Sequence, residues 1–466
     1  MSDKSMSFDV AVIGGGSAGY AAARTCAAGN LRTAVIEGGE QVGGLCILRG
    51  CMPTKALLYA AEVRHLARTS HVWGMTPNPA AFDFTSVITR KRAMIEDFAS
   101  YRREQLSDGR FEFFRTSAKF LDSHTVQLGT GDTLSARSFV IATGSKISPA
   151  PMASLNEVGY LTSDSLLDSD RLPKSMVVLG GGAIAVEFAQ FLARFDVHTT
   201  LIQRSGQILK DFDADAAREL ESSLGEEGIE VFTSTTLTNF SKSSDGKMVS
   251  FEHEGVAKTV TAEEILFALG RSPNTDGMDL ERAGVDRLPN GRIATNKHQQ
   301  TSAPHIYAAG DCCGPHEIVH IAIQQGETAA KNITNGTPTT SMDYRLISSI
   351  VFTDPQVASV GLTEKEAVRQ GIPFLAASHP FNDHGKSIIM YAKHGFVKLL
   401  AAPADGKILG GSCVGPVGGE LIHEIIVAMA ANMTVHQFAA IPHYHPTLAE
   451  IWTYPAEELA DQITPA

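Results

Sequence analysis

The chain has 466 residues, a length that suggests about three domains, and an ordinary globular composition with 43% hydrophobic and 19% charged residues. Its formal net charge of -12 argues against nucleic acid or an anionic membrane surface as a partner, because both require a basic footprint. The sequence has no apolar signal region, no run of the roughly 18 apolar residues that span a membrane, and too few cysteines for a secreted disulfide scaffold, so we expect a cytoplasmic protein.

A first dinucleotide-binding unit is predicted near the start of the chain. A short apolar strand leads into a G-x-G-x-x-G turn that contains Gly14, Gly16, Ser17 and Gly19. An Ala-rich helix and a second strand follow, and that strand ends at Glu37. The glycines permit a tight turn, the approach of a pyrophosphate and close packing of helix on strand, while Glu37 is placed to accept from a ribose hydroxyl. The complete pattern predicts dinucleotide binding.

Residues 43–55 are the most specific stretch of the chain because they contain two cysteines beside glycines and a lysine. On an ideal helix Cys46 and Cys51 would have Cα atoms about 8–9 Å apart, beyond bridging range, so a disulfide requires a distorted turn that Gly50 permits. Lys55, one helical turn past Cys51, would stabilise a thiolate. The alternatives are two buried cysteines or half of a zinc site, although no second pair stands at metal spacing.

The pattern of strand, glycine turn, helix and strand recurs in the middle of the chain. The second turn contains Gly180 and Gly182, and Ala185 replaces its third glycine. A second dinucleotide site is therefore predicted, and the two sites would hold FAD and NADP.

The acid that ends the first unit is missing from the second. Counting from the first glycine of each turn, Gln203 occupies the position of Glu37, and Arg204 follows it. Loss of a carboxylate and gain of a guanidinium suit a 2′-phosphate, so the second site is predicted to prefer NADPH to NADH. Lys210 is a second candidate cation. The alternative is that Arg204 and Lys210 are solvated surface charges.

Three other segments place small or polar residues at strand ends. Thr143 and Gly144 follow a strand and are small enough to lie against a cofactor. Gly270 and Arg271 repeat that arrangement. Asp311 stands at the end of a third strand, where a flavin ribityl chain would need an acceptor.

Two further motifs are predicted to be coincidences. Residues 316–320 spell the H-E-x-x-H pattern of metalloproteases, but nothing downstream continues a zincin motif, so no metal site is predicted. Cys312 and Cys313 are adjacent and are predicted to be small buried residues near a cofactor rather than a second redox pair.

Together these motifs resemble those of the FAD-dependent pyridine nucleotide-disulfide oxidoreductases, the class I flavoprotein disulfide reductases. Glutathione reductase, lipoamide dehydrogenase and mercuric reductase are members. Residues 43–55 are similar to the signature G-G-x-C-x4-G-C-x-P-(S/T)-K, and the similarity continues over nearly the whole chain to His445-Pro446-Thr447.

The resemblance implies roles for the site residues. FAD would occupy the first unit, with Gly44 among its contacts, and the nicotinamide coenzyme would occupy the second. Cys51 would be the sulfur next to the flavin, and Cys46 the sulfur that exchanges with substrate. Lys55 and Glu187 would pair beside the flavin ring.

The C-terminal third lacks the glycine-turn pattern of the two nucleotide units. Two strands are predicted around an Asp405-Gly406 turn, and an apolar helix is predicted at 420–431. In the family this region is a dimerisation domain that sends its last segment into the partner's active site. A homodimer with a shared active site is therefore expected. By resemblance His445 is the acid/base that moves the thiol proton, and Glu450 orients it.

An alternative for Glu450 is a helix capping box, because Thr447-x-x-Glu450 has its spacing, and the two roles can coexist. His443 is predicted to pack or to support its neighbours rather than to act as a ligand.

The predicted fold is α/β, with two Rossmann-like dinucleotide-binding domains and a C-terminal α+β dimerisation domain. The FAD-binding domain is predicted at 1–150 and 271–342, the NAD(P)-binding domain at 151–270 and the dimerisation domain at 343–466. The predicted activity is that of an FAD-dependent NAD(P)H:disulfide oxidoreductase acting on a small disulfide. Lipoamide dehydrogenase and a mercuric reductase-like metal-ion reductase remain alternatives, although no cysteine follows Cys413, where mercuric reductases carry a tail pair.

Overall fold

The computed structural model of the protein describes residues 5–76 and 82–463. The chain forms two compact units. The first comprises Met1–Thr54, Ile88–Pro149 and Gly270–Asp343, and the second comprises Lys55–Val87, Ala150–Leu269 and Tyr344–Ala466. The domain limits predicted at 150, 270 and 342 stay predictions, and Lys55–Val87, predicted within the FAD-binding domain, belongs to the second unit. The division of the second unit into separate NAD(P)-binding and dimerisation domains stays a prediction.

The chain up to residue 149 supplies most of the first unit. Its helices and strands are β1 (Ser5–Ile13), α1 (Ser17–Ala28), β2 (Thr33–Ile36), α2 (Gly44–Leu48), α3 (Cys51–Thr69), α4 (Phe84–Leu106), β3 (Glu112–Phe114), β4 (Ala118–Asp122), β5 (Thr125–Leu128), β6 (Thr133–Ile141) and β7 (Ser145–Ile147). A 3-10 helix at Ser70–Trp73 follows α3.

The next stretch, from 150 to 343, contains the second nucleotide-type sheet and the return to the first unit. Its elements are α5 (Ala153–Val158), β8 (Leu161–Thr162), α6 (Ser163–Leu167), β9 (Ser175–Leu179), α7 (Ala183–Arg194), β10 (His198–Ile202), α8 (Ala214–Glu226), β11 (Glu230–Phe232), β12 (Thr235–Ser243), β13 (Gly246–His253), β14 (Val256–Ala262), β15 (Glu264–Phe267), β16 (Arg271–Pro273), β17 (Ile306–Ala308) and α9 (Val319–Thr334). A 3-10 helix spans Leu280–Ala283.

The C-terminal part forms an antiparallel sheet with helices. Its elements are β18 (Ser348–Val351), β19 (Gln356–Gly361), α10 (Glu364–Gln370), β20 (Leu375–Pro380), α11 (Gly385–Ile389), β21 (Phe396–Ala401), β22 (Ile408–Gly415), α12 (Gly418–Ala430), α13 (Val435–Ala439) and α14 (Thr453–Gln462). Short 3-10 helices span Tyr344–Leu346, Phe381–Asp383 and Ala449–Trp452.

The sheet of the first unit has the strand order β3-β2-β1-β6-β5-β4, with β17 also paired to β6. Strands β1, β2, β3, β6 and β17 pair in parallel. Along β1, Ala11 and Ile13 enter one buried cluster while Val10 and Val12 enter another, so both faces of the strand are covered. A continuous apolar run is typical of such a parallel strand.

The second unit repeats this plan with the strand order β11-β10-β9-β15-β8, and these strands also pair in parallel. A separate antiparallel sheet contains β12, β13 and β14. The C-terminal sheet has the order β18-β19-β22-β21-β20 and is antiparallel throughout. The predicted pairing around Asp405-Gly406 is confirmed by β21 and β22, and the predicted apolar helix by α12.

The predicted α/β fold class is confirmed. Both nucleotide-type sheets contain a set of parallel strands, and the C-terminal sheet is antiparallel. The core of the C-terminal part contains Trp452, which is fully buried and donates from Nε1 to the Leu421 carbonyl at 3.2 Å. Within the described residues, no helix is long and apolar enough to cross a membrane.

Candidate active site

The first glycine turn, between β1 and α1, has no room for a side chain at Gly14 or at Gly19. A Cβ at Gly14, where φ is +110°, would lie 2.3 Å from the Ala142 carbonyl oxygen. A Cβ at Gly19 would lie 1.8 Å from the Gly14 carbonyl oxygen. Glu37, at the end of β2, accepts from the backbone nitrogens of Gly15 and Gly39, each at 2.7 Å. The carboxylate is therefore fixed beside the turn, as ribose recognition requires.

The first unit fits a bound dinucleotide on three observations. Helix α1 begins at Ser17 after Gly16, with no side chain capping it, so its first N–H groups are available to a pyrophosphate. Gly16 and Gly44 approach so closely that a Cβ at Gly44 would lie 2.7 Å from the Gly16 Cα. The Thr143 hydroxyl is buried without a hydrogen-bond partner among the described residues. A cofactor that reaches this hydroxyl would satisfy it.

Asp311, at the predicted ribityl position, is joined to Arg271 through Ser145. The Ser145 hydroxyl donates to Asp311 Oδ2 at 2.7 Å, and Arg271 Nε donates to the Ser145 hydroxyl at 2.9 Å. Gly270 and Arg271, predicted to lie against a cofactor, belong to the first unit, where the Arg271 guanidinium donates to the Ser145 carbonyl at 3.0 Å. The coenzyme-binding role of these two residues stays a prediction.

The two cysteines of the redox motif lie on either side of a helix break. Cys46 is in α2, which ends at Leu48, and Cys51 is the first residue of α3. Both are half-buried. Gly50 comes so close to the preceding helix that a Cβ there would lie 3.2 Å from the Cys46 Cα. The helix is therefore interrupted between the two cysteines, and the N-terminus of the 19-residue α3 favours a thiolate at Cys51; their disulfide stays a prediction.

The second glycine turn has the same geometry, with Ala185 in place of the third glycine. A Cβ at Gly180, where φ is +117°, would lie 2.4 Å from the Ala268 carbonyl oxygen, and the space around Gly182 is open. Ala185 is fully buried, so the helix packs here with a methyl group that the first turn excludes. Gly182 caps α7 without a side-chain hydrogen bond, which leaves helix N–H groups free for a pyrophosphate.

Gln203 lies against the second turn as Glu37 lies against the first. A Cβ at Gly181 would sit 2.9 Å from the Gln203 Cγ, and the Gln203 side-chain oxygen accepts from the Arg204 nitrogen at 3.1 Å. The side chain of Arg204 is exposed. Lys210 is also exposed and pairs with Asp211 at 3.1 Å. The binding of a 2′-phosphate by Arg204 and Lys210 stays a prediction.

Lys55 and Glu187, 132 residues apart, form an ion pair in the second unit. Lys55 Nζ donates to the Glu187 carboxylate at 2.8 and 3.0 Å, and the Phe352 backbone nitrogen donates to it at 2.9 Å. Glu187 is buried in α7. The Lys55 ammonium also lies 4.5 Å from the centre of the Phe352 ring. Phe352 thus contacts both members of the ion pair, and the sequence analysis did not identify it.

His445 and Glu450 form a dyad near the C-terminus. The distances from His445 Nδ1 to the Glu450 carboxylate oxygens are 2.9 and 3.0 Å, and the imidazole is otherwise exposed. The hydrogen bond from His445 lowers the pKa of Glu450 below its ordinary value. The Glu450 backbone nitrogen donates to the Thr447 hydroxyl at 3.4 Å, but the 3-10 helix at Ala449–Trp452 has no side-chain cap at its N-cap residue, Leu448. The alternative capping box is therefore not formed, and the orienting role of Glu450 stays a prediction. Among the residues that the structure describes, the other ring nitrogen of His445 has no hydrogen-bond partner. The acid/base role of His445 stays a prediction.

The remaining candidates are structural. His443 is 2.5 Å from Glu424 through Nε2 and 2.9 Å from the Ile441 carbonyl through Nδ1, so both ring nitrogens are engaged. In the H-E-x-x-H sequence, α9 begins only at Val319, and Glu317 pairs with Arg292 at 2.7 Å. The motif therefore does not place its two histidines on one helix face.

Cys312 and Cys313 are both buried, and the Cys312 sulfur lies 3.3 Å from the carbonyl oxygens of Ile141 and Ala309. The hydrogen bond with Cys312 and burial raise the pKa of Cys313. The same hydrogen bond lowers the pKa of Cys312, so only Cys313 is a buried, protonated thiol and a poor nucleophile on this ground. The packing role of the pair stays a prediction.

Two glycine turns built for dinucleotides, with a cysteine pair at a helix break, define an oxidoreductase of the flavin-dependent, two-dinucleotide class. Residues 8–326 match the family model described as pyridine nucleotide-disulphide oxidoreductase, and residues 347–456 match the dimerisation domain of that family. The chain belongs to the pyridine nucleotide-disulphide oxidoreductase family, whose members use FAD and a pyridine nucleotide.

The relatives are similar over nearly the full length of the chain. A dihydrolipoyl dehydrogenase of Geobacillus stearothermophilus is 33% identical, covering 98% of this chain and 97% of its own. A mercuric reductase of Lysinibacillus sphaericus is 32% identical, covering 95% of this chain and 81% of its own. The crystal structure of LpdA from Mycobacterium tuberculosis superposes with a TM-score of 0.86 at 26% identity, covering 97% of this chain and 99% of that one.

Proposed function

We propose that the protein is an NADPH-preferring, FAD-dependent oxidoreductase that passes electrons through the Cys46–Cys51 pair to a small disulfide. The observation that carries the proposal is the helix break that brings Gly50 against Cys46 and starts α3 at Cys51. Buried cysteines that only pack need neither a break nor a helix N-terminus beside the sulfur.

The cofactor's part is to accept a hydride from the nicotinamide and to deliver an electron pair to sulfur when FAD is bound. Gly14, Gly16 and Gly44 would hold its pyrophosphate, Glu37 its ribose, and Asp311 its ribityl chain. Lys55 would keep a positive charge near the reacting sulfur, and the buried Glu187 carboxylate fixes the position of that charge.

The chain's own residues then exchange the disulfide. The Cys46 thiolate attacks one sulfur of the substrate, which forms a mixed disulfide and expels a thiolate that takes a proton from His445. The Cys51 thiolate then attacks the Cys46 sulfur, which closes the Cys46–Cys51 disulfide and expels the second thiolate. By family resemblance the proton comes from the partner subunit's His445, so the active site would be complete only in the homodimer.

The preference for NADPH is supported by the second unit. Gln203 takes the register of Glu37, and the exposed Arg204 follows it. A neutral amide does not repel a 2′-phosphate, and a guanidinium binds one with charge-assisted hydrogen bonds.

Dihydrolipoamide dehydrogenase is the second candidate, favoured by full-length similarity to dihydrolipoyl dehydrogenases. It would run the same exchange in the opposite direction and prefer NAD. Similarity to mercuric reductases makes metal-ion reduction a further alternative, which the assay with Hg(II) includes.

The test is a steady-state comparison of the pure enzyme with NADPH and NADH against lipoamide, glutathione disulfide, other small disulfides and Hg(II). We expect turnover of at least one disulfide with NADPH, and its loss in Cys46→Ser. Cys413→Ser is the matched control, because Cys413 is buried in the C-terminal sheet and should be dispensable. Disulfide turnover at the wild-type rate by Cys46→Ser would contradict the proposed mechanism. Better use of NADH with lipoamide would favour the second candidate.

A further inference from the structure

A buried histidine lies next to the His445–Glu450 dyad. His384 is 1% exposed and immediately precedes α11. Its Nδ1 is 2.7 Å from the hydroxyl of Ser387, which is itself fully buried. Its Nε2 has no hydrogen-bond partner among the described residues and lies 3.8 Å from Glu450 Oε2. Both oxygens of the Glu450 carboxylate therefore contact His445, and Oε2 also faces His384.

The contacts of His384 determine which ring nitrogen carries the proton. A neutral imidazole has one donor and one acceptor nitrogen, and a carboxylate offers only acceptors. A bare Nε2 lone pair facing the Glu450 oxygen in a buried site would be repulsive. A proton on Nε2 makes that contact attractive and leaves Nδ1 to accept from the Ser387 hydroxyl. The geometry thus favours the Nε2–H tautomer.

The charged and titratable groups around His384 come from four other segments. Glu450 lies in the 3-10 helix at Ala449–Trp452, His445 precedes that helix, and His379 is in β20. The Tyr454 ring of α14 stands edge-on, with its centre 6.2 Å from that of His384. Burial lowers the pKa of His384, and this effect outweighs the nearby Glu450 charge. His384 is therefore neutral near pH 7.

We propose that His384 is a positioning residue that steadies the Glu450 carboxylate with its Nε2–H and so completes a chain from Ser387 through His384 and Glu450 to His445. The 3.8 Å separation exceeds the roughly 2.7–3.2 Å of a hydrogen bond, so the contact is a charge–dipole attraction. This inference rests on the proposed function only in giving His445 the role of acid/base.

The chain has a consequence for the proton affinity of His445. A donor directed at Glu450 stabilises its negative charge and weakens its hold on the His445 proton. Removing that donor raises the pKa of His445, which slows release of the proton, and it also frees the carboxylate to rotate. A residue that merely filled space beneath Glu450 would have neither effect.

The test compares His384→Leu with His384→Gln in the full-length, FAD-loaded enzyme. Leucine has nearly the volume of histidine but no donor, whereas glutamine places an amide N–H near the position of Nε2. His379→Gln is the matched control, because His379 stacks on Tyr454 at 4.0 Å and bonds the Asp383 carbonyl. The first readout is the pH dependence of His445 modification by diethylpyrocarbonate, followed by mass spectrometry. This reagent attacks only the neutral ring and does not depend on disulfide turnover.

We expect the His445 midpoint to rise by roughly half a pH unit in His384→Leu and to stay in place in His384→Gln and His379→Gln. Disulfide turnover should fall by roughly 3- to 10-fold in the leucine variant and recover in the glutamine variant. Ser387→Ala removes the hydroxyl that fixes the His384 tautomer and should raise the His445 midpoint by a smaller amount. It replaces the leucine variant in the test if that variant does not fold. An unshifted midpoint in a folded His384→Leu, or an equal shift in His384→Gln, would overturn the proposal. If the wild-type enzyme turns over no disulfide, the proposed function fails, while the His445 midpoint still tests His384.

Discussion

Replacing Gln203 by glutamate is expected to move the coenzyme preference from NADPH toward NADH. In the first unit the Glu37 carboxylate accepts from the Gly15 nitrogen at 2.7 Å. Gln203 lies against Gly181 at the same register, so Gln203→Glu rebuilds this acceptor in the second unit. The new carboxylate would accept from the ribose hydroxyls of NADH and repel the 2′-phosphate of NADPH.

The magnitude follows from the contact that Arg204 would make. A hydrogen bond to a charged group is worth about 1.5–3 kcal/mol, which corresponds to roughly 10- to 150-fold in kcat/KM. Arg204 is exposed and screened by solvent, so the lower end of this range applies. We expect the wild type to favour NADPH by roughly 10-fold, and Arg204→Glu and Gln203→Glu each to erase or reverse that preference.

The assay measures kcat/KM for both coenzymes with ferricyanide as electron acceptor, so that the identity of the disulfide does not matter. Lys210→Gln is the control, because Lys210 already pairs with Asp211 and should change the ratio little. Added salt should lower the NADPH preference, since the contact is exposed. Equal use of NADH by the wild type, or an unchanged ratio in Gln203→Glu with FAD fully bound, would refute the reasoning.

Three further changes have expected outcomes. Glu187→Gln should lower the free energy of unfolding in urea by about 1.5–3 kcal/mol, because it removes a buried charge that holds the Lys55 ammonium at 2.8 Å. Glu112→Gln, at an exposed ion pair, should lower it by less than about 1 kcal/mol, and equal losses would contradict this. Gly19→Ala would place a methyl 1.8 Å from backbone, so flavin absorbance per chain should be almost lost, and full FAD occupancy would refute the packing argument. His445→Gln should keep NADPH reduction of the flavin but lower disulfide turnover by roughly 10²–10⁴, and a mixed dimer with Cys46→Ser should recover one working site of two. An inactive mixed dimer of folded subunits would place His445 within its own chain's site.

The sequence predicted best what local backbone geometry requires. Glycines at 14, 19 and 180 could be assigned because their turns bring another backbone oxygen to within 2.4 Å of a built Cβ. No other residue fits there, so the spacing alone indicates the turn. Gly50 was predicted to permit a distorted turn, and a Cβ there would lie 2.9 Å from the Leu45 carbonyl oxygen, where α2 and α3 are interrupted.

Contacts between distant segments could not be read from spacing. The Lys55–Glu187 pair joins residues 132 positions apart, and only family resemblance indicated it. Phe352 donates to the same carboxylate through its backbone, which carries no sequence signal. The hydrogen bonds from the Arg271 guanidinium to Ser145, 126 residues away, likewise have no signal in the sequence. His384 escaped notice because a buried histidine resembles any core residue until its neighbours are known.

The central claim is that Cys46 and Cys51 form the disulfide that the coenzyme reduces. The direct measurement is anaerobic alkylation of the native, FAD-loaded enzyme before and after one equivalent of NADPH, read peptide by peptide by mass spectrometry. Cys26 is a built-in reference, because burial raises its pKa to about 12 and keeps it unreactive in the native protein. We expect no alkylation of Cys46 or Cys51 before NADPH is added, and alkylation of both afterwards. Labelling of both before NADPH, or of neither after it, would contradict the account.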